Sequence, residues 1–185
     1  MKTLVIVAHP DIENSVINQN WVKALQQNPE RYTVHQLYQA YPDGKIDVSR
    51  EQKLLEAHDN IILQFPIYWF SSPPLLKQWQ DDVLTYGWAY GSKSGYKMKG
   101  KNVALAVSAG IRLEDFSAEG RYQYSLDEVL RPFEMTFNYV KSNYLPHFGF
   151  YGTELAGEIA PEILAQSAED YRDFIRAQSS GRGIP

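Results

Sequence analysis

The stretch Thr3-Leu4-Val5-Ile6-Val7-Ala8-His9-Pro10 constrains this chain more than any other. A run of apolar, mostly β-branched residues stops at His9-Pro10, and a polar loop follows. Ser15 then opens an apolar pattern of helical period through Val16, Ile17, Trp21, Val22 and Leu25. Leu4–Val7 offers no polar face, so it reads as a strand buried on both sides, the kind found in parallel sheets covered by helices. In open α/β sheets the loop that ends such a strand lies where ligands bind. A helix N-terminus aimed at that loop is a site for an anion, because its first amides have no partner inside the helix.

The rest of the chain repeats the alternation. Tyr32–Leu37 reads as a second strand, Asn60–Phe65 as a third stopped by Pro66, Asn102–Ser108 as a fourth and Tyr144–Phe150 as a fifth. Pro146 inside the fifth marks an edge position. The first helix ends near Asn28-Pro29. A short one passes through Leu54, Leu55 and Ala57, capped by Asp47 or Ser49. The next is led by Ser72 as cap and by prolines in its first turn, with Leu75, Leu76, Trp79, Val83 and Leu84 inward. Ser125–Leu130 and Pro132–Ser142 follow, Pro132 either kinking one helix or starting a second. Pro161–Ala177 turns Ile163, Leu164, Ala168, Tyr171, Phe174 and Ile175 inward, and the tail Ser179–Pro185 reads as frayed. Five strands alternating with helices predict a single α/β domain over residues 1–185. Its five-stranded parallel sheet carries helices on both faces and has strand order 2-1-3-4-5.

Composition removes several chemistries. With no cysteine the chain has no disulfide, thiolate metal ligand, cysteine nucleophile or dithiol pair, so redox chemistry would have to come from a bound cofactor. A net charge of -4 shows no basic footprint for nucleic acid. His9, His35, His58 and His147 are scattered without metal-ligand spacing, and His35 and His58 read as structural. There is no G-x-G-x-x-G after the first strand, no phosphate-loop motif and no nucleophile elbow. Without a signal peptide or a membrane-length apolar run, a cytoplasmic location is expected.

In the expected strand order the site forms where the first, third and fourth strands end. The first loop suits phosphate: Ser15 and Asn18 bring a hydroxyl and an amide to the first turn of the helix, with the amides of Val16 and Ile17, and His9 can donate as well. No lysine or arginine lies between residues 3 and 22, so neutral donors and the helix dipole would hold the dianion. The second loop, Pro66-Ile67-Tyr68-Trp69-Phe70, suits a flat ring, offering aromatic faces and edge-on backbone groups. The third, Ser108-Ala109-Gly110-Ile111, is small enough for close backbone approach. Phosphate at one end and a flat ring at the other describe a flavin nucleotide.

These motifs resemble the flavodoxin-like NAD(P)H quinone oxidoreductase family (DT-diaphorase-like). They resemble most its short bacterial branch, which includes ancillary flavoproteins of glutathione-gated potassium efflux systems and general stress oxidoreductases. The marks are Ala8-His9-Pro10 with Ser15 and Asn18; Tyr38…Tyr41-Pro42-Asp43 with Ile46-Asp47; Pro66 to Lys77; Gly87-Trp88-Ala89-Tyr90-Gly91; and Leu130-Arg131-Pro132-Phe133. The resemblance implies FMN, with FAD as the alternative, contacted by His9 and Ser15 to Asn18 on the phosphate side and by Pro66 to Phe70 and Ser108 to Ile111 around the ring. It implies hydride transfer from NAD(P)H through flavin N5 to a quinone-like acceptor, with no single catalytic side chain named. It also implies a homodimer, with Trp88-Ala89-Tyr90 as an interface element. Two departures stand out: Ile111 falls where many relatives have glycine, and Phe116 falls near a tyrosine that some members use with a histidine to move protons. Glu119, Arg121, Tyr122 and Tyr124 are the replacements on offer. Lys97, Lys99, Lys101, Arg112 and Arg121 lie in loops that could meet a nicotinamide-nucleotide phosphate. The alternative role is a flavin-bearing regulatory subunit that gates a potassium efflux transporter, peripheral to the inner face of the membrane. A one-electron carrier is a weaker rival, since such carriers are more acidic than -4.

Overall fold

The computed structural model describes residues 2–93, 95–154 and 159–179, so the expectation for the tail beyond Ser179 lies outside the described residues. The strands are β1 (Thr3–Val7), β2 (Tyr32–Gln36), β3 (Asn60–Pro66), β4 (Asn102–Ser108), β5 (Asn143–Tyr144) and β6 (Phe148–Phe150). All pair in parallel in the order β2-β1-β3-β4-β5, with β6 also on β4. The predicted order stands, but the fifth strand is split. Proline has no amide to give to a ladder. Pairing therefore lapses at Pro146 and resumes one residue out of step: Asn102 faces Asn143, whereas Ala106 faces Phe148. A strand at the sheet's edge tolerates that break.

The helices are α1 (Val16–Gln26), α2 (Leu37–Ala40), α3 (Val48–Glu56), α4 (Pro74–Val83), α5 (Leu126–Val129), α6 (Arg131–Tyr139) and α7 (Pro161–Ser179). Side chains alternate across each strand. Val5, Val7, Ile62, Ala104 and Ala106 therefore meet Trp21, Tyr171, Phe174 and Ile175 of α1 and α7. Leu4, Ile6, Leu63, Phe65, Leu105 and Val107 meet Leu55, Leu76, Trp79, Phe133 and Phe137 of α3, α4 and α6. Ser15 caps α1, Asp47 caps α3, and Ser125 forms a capping box with Glu128. Ser72 is not the cap of α4, because Pro73 takes that position with Pro74 at the first helical residue. Pro132 belongs to the start of a second helix rather than to a kink. Ile163 and Val16, both expected inward, face solvent.

One buried carboxylate ties β2, α3 and α4 together. Glu51 is fully buried and accepts hydrogen bonds from His35 Nε2 at 2.8 Å, Tyr41 Oη at 2.5 Å and Trp79 Nε1 at 2.9 Å. Burial alone would push its carboxyl up, but the donors outweigh that and hold it below its ordinary value. His58 is also structural: its Nδ1 donates to Leu54 O at 2.8 Å and its Nε2 accepts from Thr33 Oγ1 at 3.0 Å.

Glu51→Gln should lower stability by about 3 kcal/mol, the usual cost of breaking a buried charged network. Urea denaturation at pH 7 checks this. Because the folded carboxyl titrates below its ordinary 4.5, its contribution is present above that pH and fades as pH falls through the folded value. The gap between wild type and variant should therefore narrow only in acid.

Candidate functional site

Register brings three loops to one edge of the sheet. Val7 lies beside Gln64, Gln64 beside Ala106, and Pro66 beside Ser108, so β1, β3 and β4 end side by side. Two adjoining clefts open over these ends, one of about 660 Å3 toward α1 and one of about 440 Å3 toward the aromatic loop.

The larger cleft is lined by His9, Ser15, Val16, Ile17, Pro66 and Ser108. Ser15 Oγ accepts from the backbone amide of Asn18 at 3.2 Å and from its side-chain Nδ2 at 3.3 Å, which leaves the serine hydroxyl proton available. The amides of Val16 and Ile17 have no hydrogen-bond partner among the described residues. Two unpaired amides and a hydroxyl at the positive end of an eleven-residue helix form an anion cradle. Asn18 does not reach the cleft as expected. It is buried, and its Nδ2 donates to Ser108 Oγ at 2.9 Å while Gln64 Nε2 donates to its carbonyl and side-chain oxygens. Tyr171 Oη, from α7, closes the chain on Gln64 Oε1 at 3.1 Å. Asn18 therefore positions the cleft rather than lining it. His9 Nδ1 accepts from the amide of Asp11 at 3.1 Å, so in the neutral ring the proton sits on Nε2. Burial pushes His9 down from its ordinary value, against a smaller opposing effect of Asp11, which makes it a neutral donor near pH 7.

The smaller cleft is built on a strained turn. Tyr68 and Ser71 exchange backbone hydrogen bonds of 2.9 Å, and between them Trp69 and Phe70 take φ of 46° and 59°. Positive φ at two bulky residues is uncommon and costs energy. Here it presents the aromatic side chains to solvent, with Trp69 93% exposed, and leaves the amides of Trp69 and Phe70 without partners among the described residues. Ile67 N donates to Ser108 O at 2.8 Å, joining the turn to the loop after β4, where the amides of Gly110 and Ile111 likewise have no partner among the described residues. Phe116 and Tyr122 complete the wall, and Phe70 packs edge-on against Tyr122 at 4.9 Å. All the residues expected to contact the flavin, Asn18 excepted, thus line one cleft or the other.

The segment after β6 also belongs to the site, with no motif in the sequence to mark it. Gly152, Thr153 and Glu154 donate backbone hydrogen bonds to Ile111, Ala109 and Gly110, at 2.7, 3.2 and 3.0 Å, and Thr153 and Glu154 thereby join the cleft walls. Ile159 and Leu164 also line the larger cleft. Nothing local to these residues signals the role, since it depends on the edge strand's register. Of Glu119, Arg121, Tyr122 and Tyr124, Tyr122 alone lines a cleft. Behind Phe116 lies a further chain, Asp127 Oδ1 to His147 Nδ1 at 2.9 Å and His147 Nε2 to Tyr151 Oη at 3.5 Å. Lys97, Lys99 and Lys101 precede β4 and so sit at the opposite end of the sheet. Lys101 is buried against the carbonyl of His58, and Lys97 faces Glu56. They cannot meet a ligand at these clefts. No lysine or arginine among the described residues lines either one.

Comparison with known proteins fits this geometry. Residues 1–175 match the family model described as having a flavodoxin-like fold. An NAD(P)H oxidoreductase of Bacillus subtilis, YrkL, itself uncharacterized, is 48% identical over 178 residues, covering 96% of this chain and 99% of that protein. The glutathione-regulated potassium-efflux system ancillary protein KefG of Yersinia enterocolitica is 36% identical over 95% of this chain and 93% of its own. Among solved structures, general stress protein 14 of Treponema denticola, in complex with FMN, superposes with a TM-score of 0.91 at 50% identity, covering 96% of this chain and 99% of that one. An NADPH-quinone reductase from P. pentosaceus gives 0.83 at 34% identity, covering 95% and 98%.

Two substitutions separate cradle from scaffold. Ser15→Ala should weaken FMN binding by about tenfold, one hydrogen bond to a charged group, and cost about 1 kcal/mol of stability through loss of the α1 cap. Asn18→Ala should instead cost about 2 kcal/mol of folding free energy, because it orphans buried partners. Fluorescence titration with FMN and urea denaturation of both variants check the division.

Proposed function

The chain belongs to the family with a flavodoxin-like fold, and from that membership we propose that it is a flavin-dependent NAD(P)H oxidoreductase that passes two electrons to a quinone-like acceptor. The observation that carries the reading is the pair of adjoining clefts over β1, β3 and β4. One is an anion cradle at a helix N-terminus; the other is an aromatic-lined cleft with four amides left unpaired among the described residues. The donor set fits FMN. Ser15, Val16, Ile17 and neutral His9 would hold the phosphate, while the amides of Trp69, Phe70, Gly110 and Ile111 would meet the acceptor atoms at the polar edge of the ring. FMN is the cofactor of choice, in keeping with the Treponema denticola relative's complex. When bound, the flavin supplies a centre that accepts hydride from NAD(P)H and gives it up to the acceptor.

The chain's own part is positioning and shielding. The Tyr68–Ser71 turn fixes the amides before any ligand arrives, so little reorganisation is needed on binding. Phe116, Ile111 and Phe70 exclude water from one side of the aromatic-lined cleft. Tyr68 and Tyr122 are the two side-chain hydroxyls on its wall, and Tyr122 Oη is the group we assign to proton delivery. The protein works as one cytoplasmic domain and pairs as a homodimer. The exposed Trp69, and the face that carries Tyr86, Met135 and Tyr139, support pairing, because solvated surfaces seldom carry so many large apolar groups together. In the loop first suggested for that role, Ala89 is buried and Trp88 donates to Glu56 Oε1 at 2.7 Å, so Tyr90 with its neighbour Tyr139 is the better element. The KefG relative favours one second reading, an ancillary subunit of a potassium efflux transporter held at the membrane's inner face.

Purified protein should carry flavin absorption, and it should oxidise NADPH when a benzoquinone is added. Colourless protein that FMN cannot reconstitute would contradict the proposal; flavin-loaded protein without NADPH oxidation would favour the ancillary reading. Tyr122→Phe should lower quinone turnover by about a hundredfold, the lower end for a lost proton donor, while FMN affinity stays unchanged.

A further inference from the structure

The two clefts share four lining residues: Ile67, Tyr68, Gly110 and Glu154. Their junction is where the chain that links ring and phosphate must pass. Ile67 and Gly110 offer no side-chain acceptor there and Tyr68 offers a phenol, whereas Glu154 offers a carboxylate. Glu154 is held over the loop after β4. Its amide donates to Gly110 O at 3.0 Å, Thr153 Oγ1 braces the same segment on Ala109 O at 3.3 Å, and a Cβ added at Gly110 would come within 2.5 Å of Glu154 Cδ. The carboxylate forms no hydrogen bond or ion pair with any described residue, and apart from His9 it is the sole ionisable carboxyl or base among the described residues of either wall.

An acceptor-only group beside a cradle made of donors is out of place for the phosphate and for the ring's acceptor edge. It suits the linker, a ribityl chain whose secondary hydroxyls are donors in search of acceptors. We propose that Glu154 is the positioning residue for that linker, its carboxylate accepting hydrogen bonds from ribityl hydroxyls at the junction of the two clefts. The inference rests on the flavin reading above. It adds a selectivity: the site distinguishes a polyhydroxylated linker from a plain alkyl one, because without hydroxyls the exposed carboxylate gains no hydrogen bond and only its repulsion toward the phosphate, screened by water, remains.

The test uses the full-length protein stripped of flavin and two titrants, FMN and a flavin bearing an N10-phosphopentyl chain, which keeps ring and phosphate but lacks the hydroxyls. Binding is read by flavin fluorescence. Wild type should bind FMN about tenfold or more tighter than the phosphopentyl flavin, the size of a hydrogen bond to a charged acceptor. Glu154→Ala should lose that preference, weakening FMN while leaving the alkyl flavin unchanged or tighter. Glu154→Gln, which keeps one acceptor, should fall between. The inference is overturned if Glu154→Ala keeps the preference, if it weakens both flavins equally, or if Glu154→Gln binds FMN more tightly than wild type. Wild type that binds neither flavin would sink the flavin reading itself, whereas wild type that binds both equally sinks only the role of Glu154.

Discussion

The side-chain amide of Asn18 holds the site together. It is buried, and its hydrogen bonds reach Ser15 at the cap of α1, Ser108 at the end of β4 and Gln64 in β3, which in turn is fixed by Tyr171 of α7. Two strands and two helices are thus referenced to one planar group. A buried polar network is costly when half satisfied and rigid when complete, and this one lies directly beneath both clefts. Its completeness lets loops that carry no regular structure present amides in fixed directions.

The unpaired amides make the site a neutral one. Phosphate is most simply held by lysine or arginine, yet neither lines the clefts among the described residues. In the proposed site the positive end of α1, the Ser15 hydroxyl and a histidine kept neutral by burial would stand in for them. Beside the ring the same device recurs. A turn forced to positive φ at Trp69 and Phe70 turns its amides outward, and the strain is held by the paired hydrogen bonds between Tyr68 and Ser71. Glu154 is the exception, an acceptor among donors at the point where a linker with donors must pass.

The fold was legible because its signals are strong ones. Leu4–Val7 and Val103–Val107 are apolar on both faces, and Pro146 marked the fifth strand as an edge strand, though not its division into β5 and β6. The three loops at the switch point were legible from strand ends alone. The facing of polar residues was not. Asn18 on the first turn of α1 could point to the cleft or beneath it, and only the position of Ser108 and Gln64, 90 and 46 residues away, decides the matter. Thr153 and Glu154 were invisible for a similar reason: they reach the site through the register of the edge strand. Lys97, Lys99 and Lys101 misled because they stand in a loop rich in charge, although a loop that precedes a parallel strand opens at the sheet's other end.

In the proposed site neutral donors, not cations, would hold the flavin phosphate over these strand ends. The measurement that tests it most directly is the FMN dissociation constant of the stripped protein at about 50 mM and 500 mM salt, a range over which the Debye length contracts from roughly 14 to 4 Å. Neutral donors predict binding that is unchanged or somewhat tighter at high salt, since screening weakens the repulsion from Glu154. A fall in affinity of an order of magnitude or more would reveal cationic contacts and contradict the account.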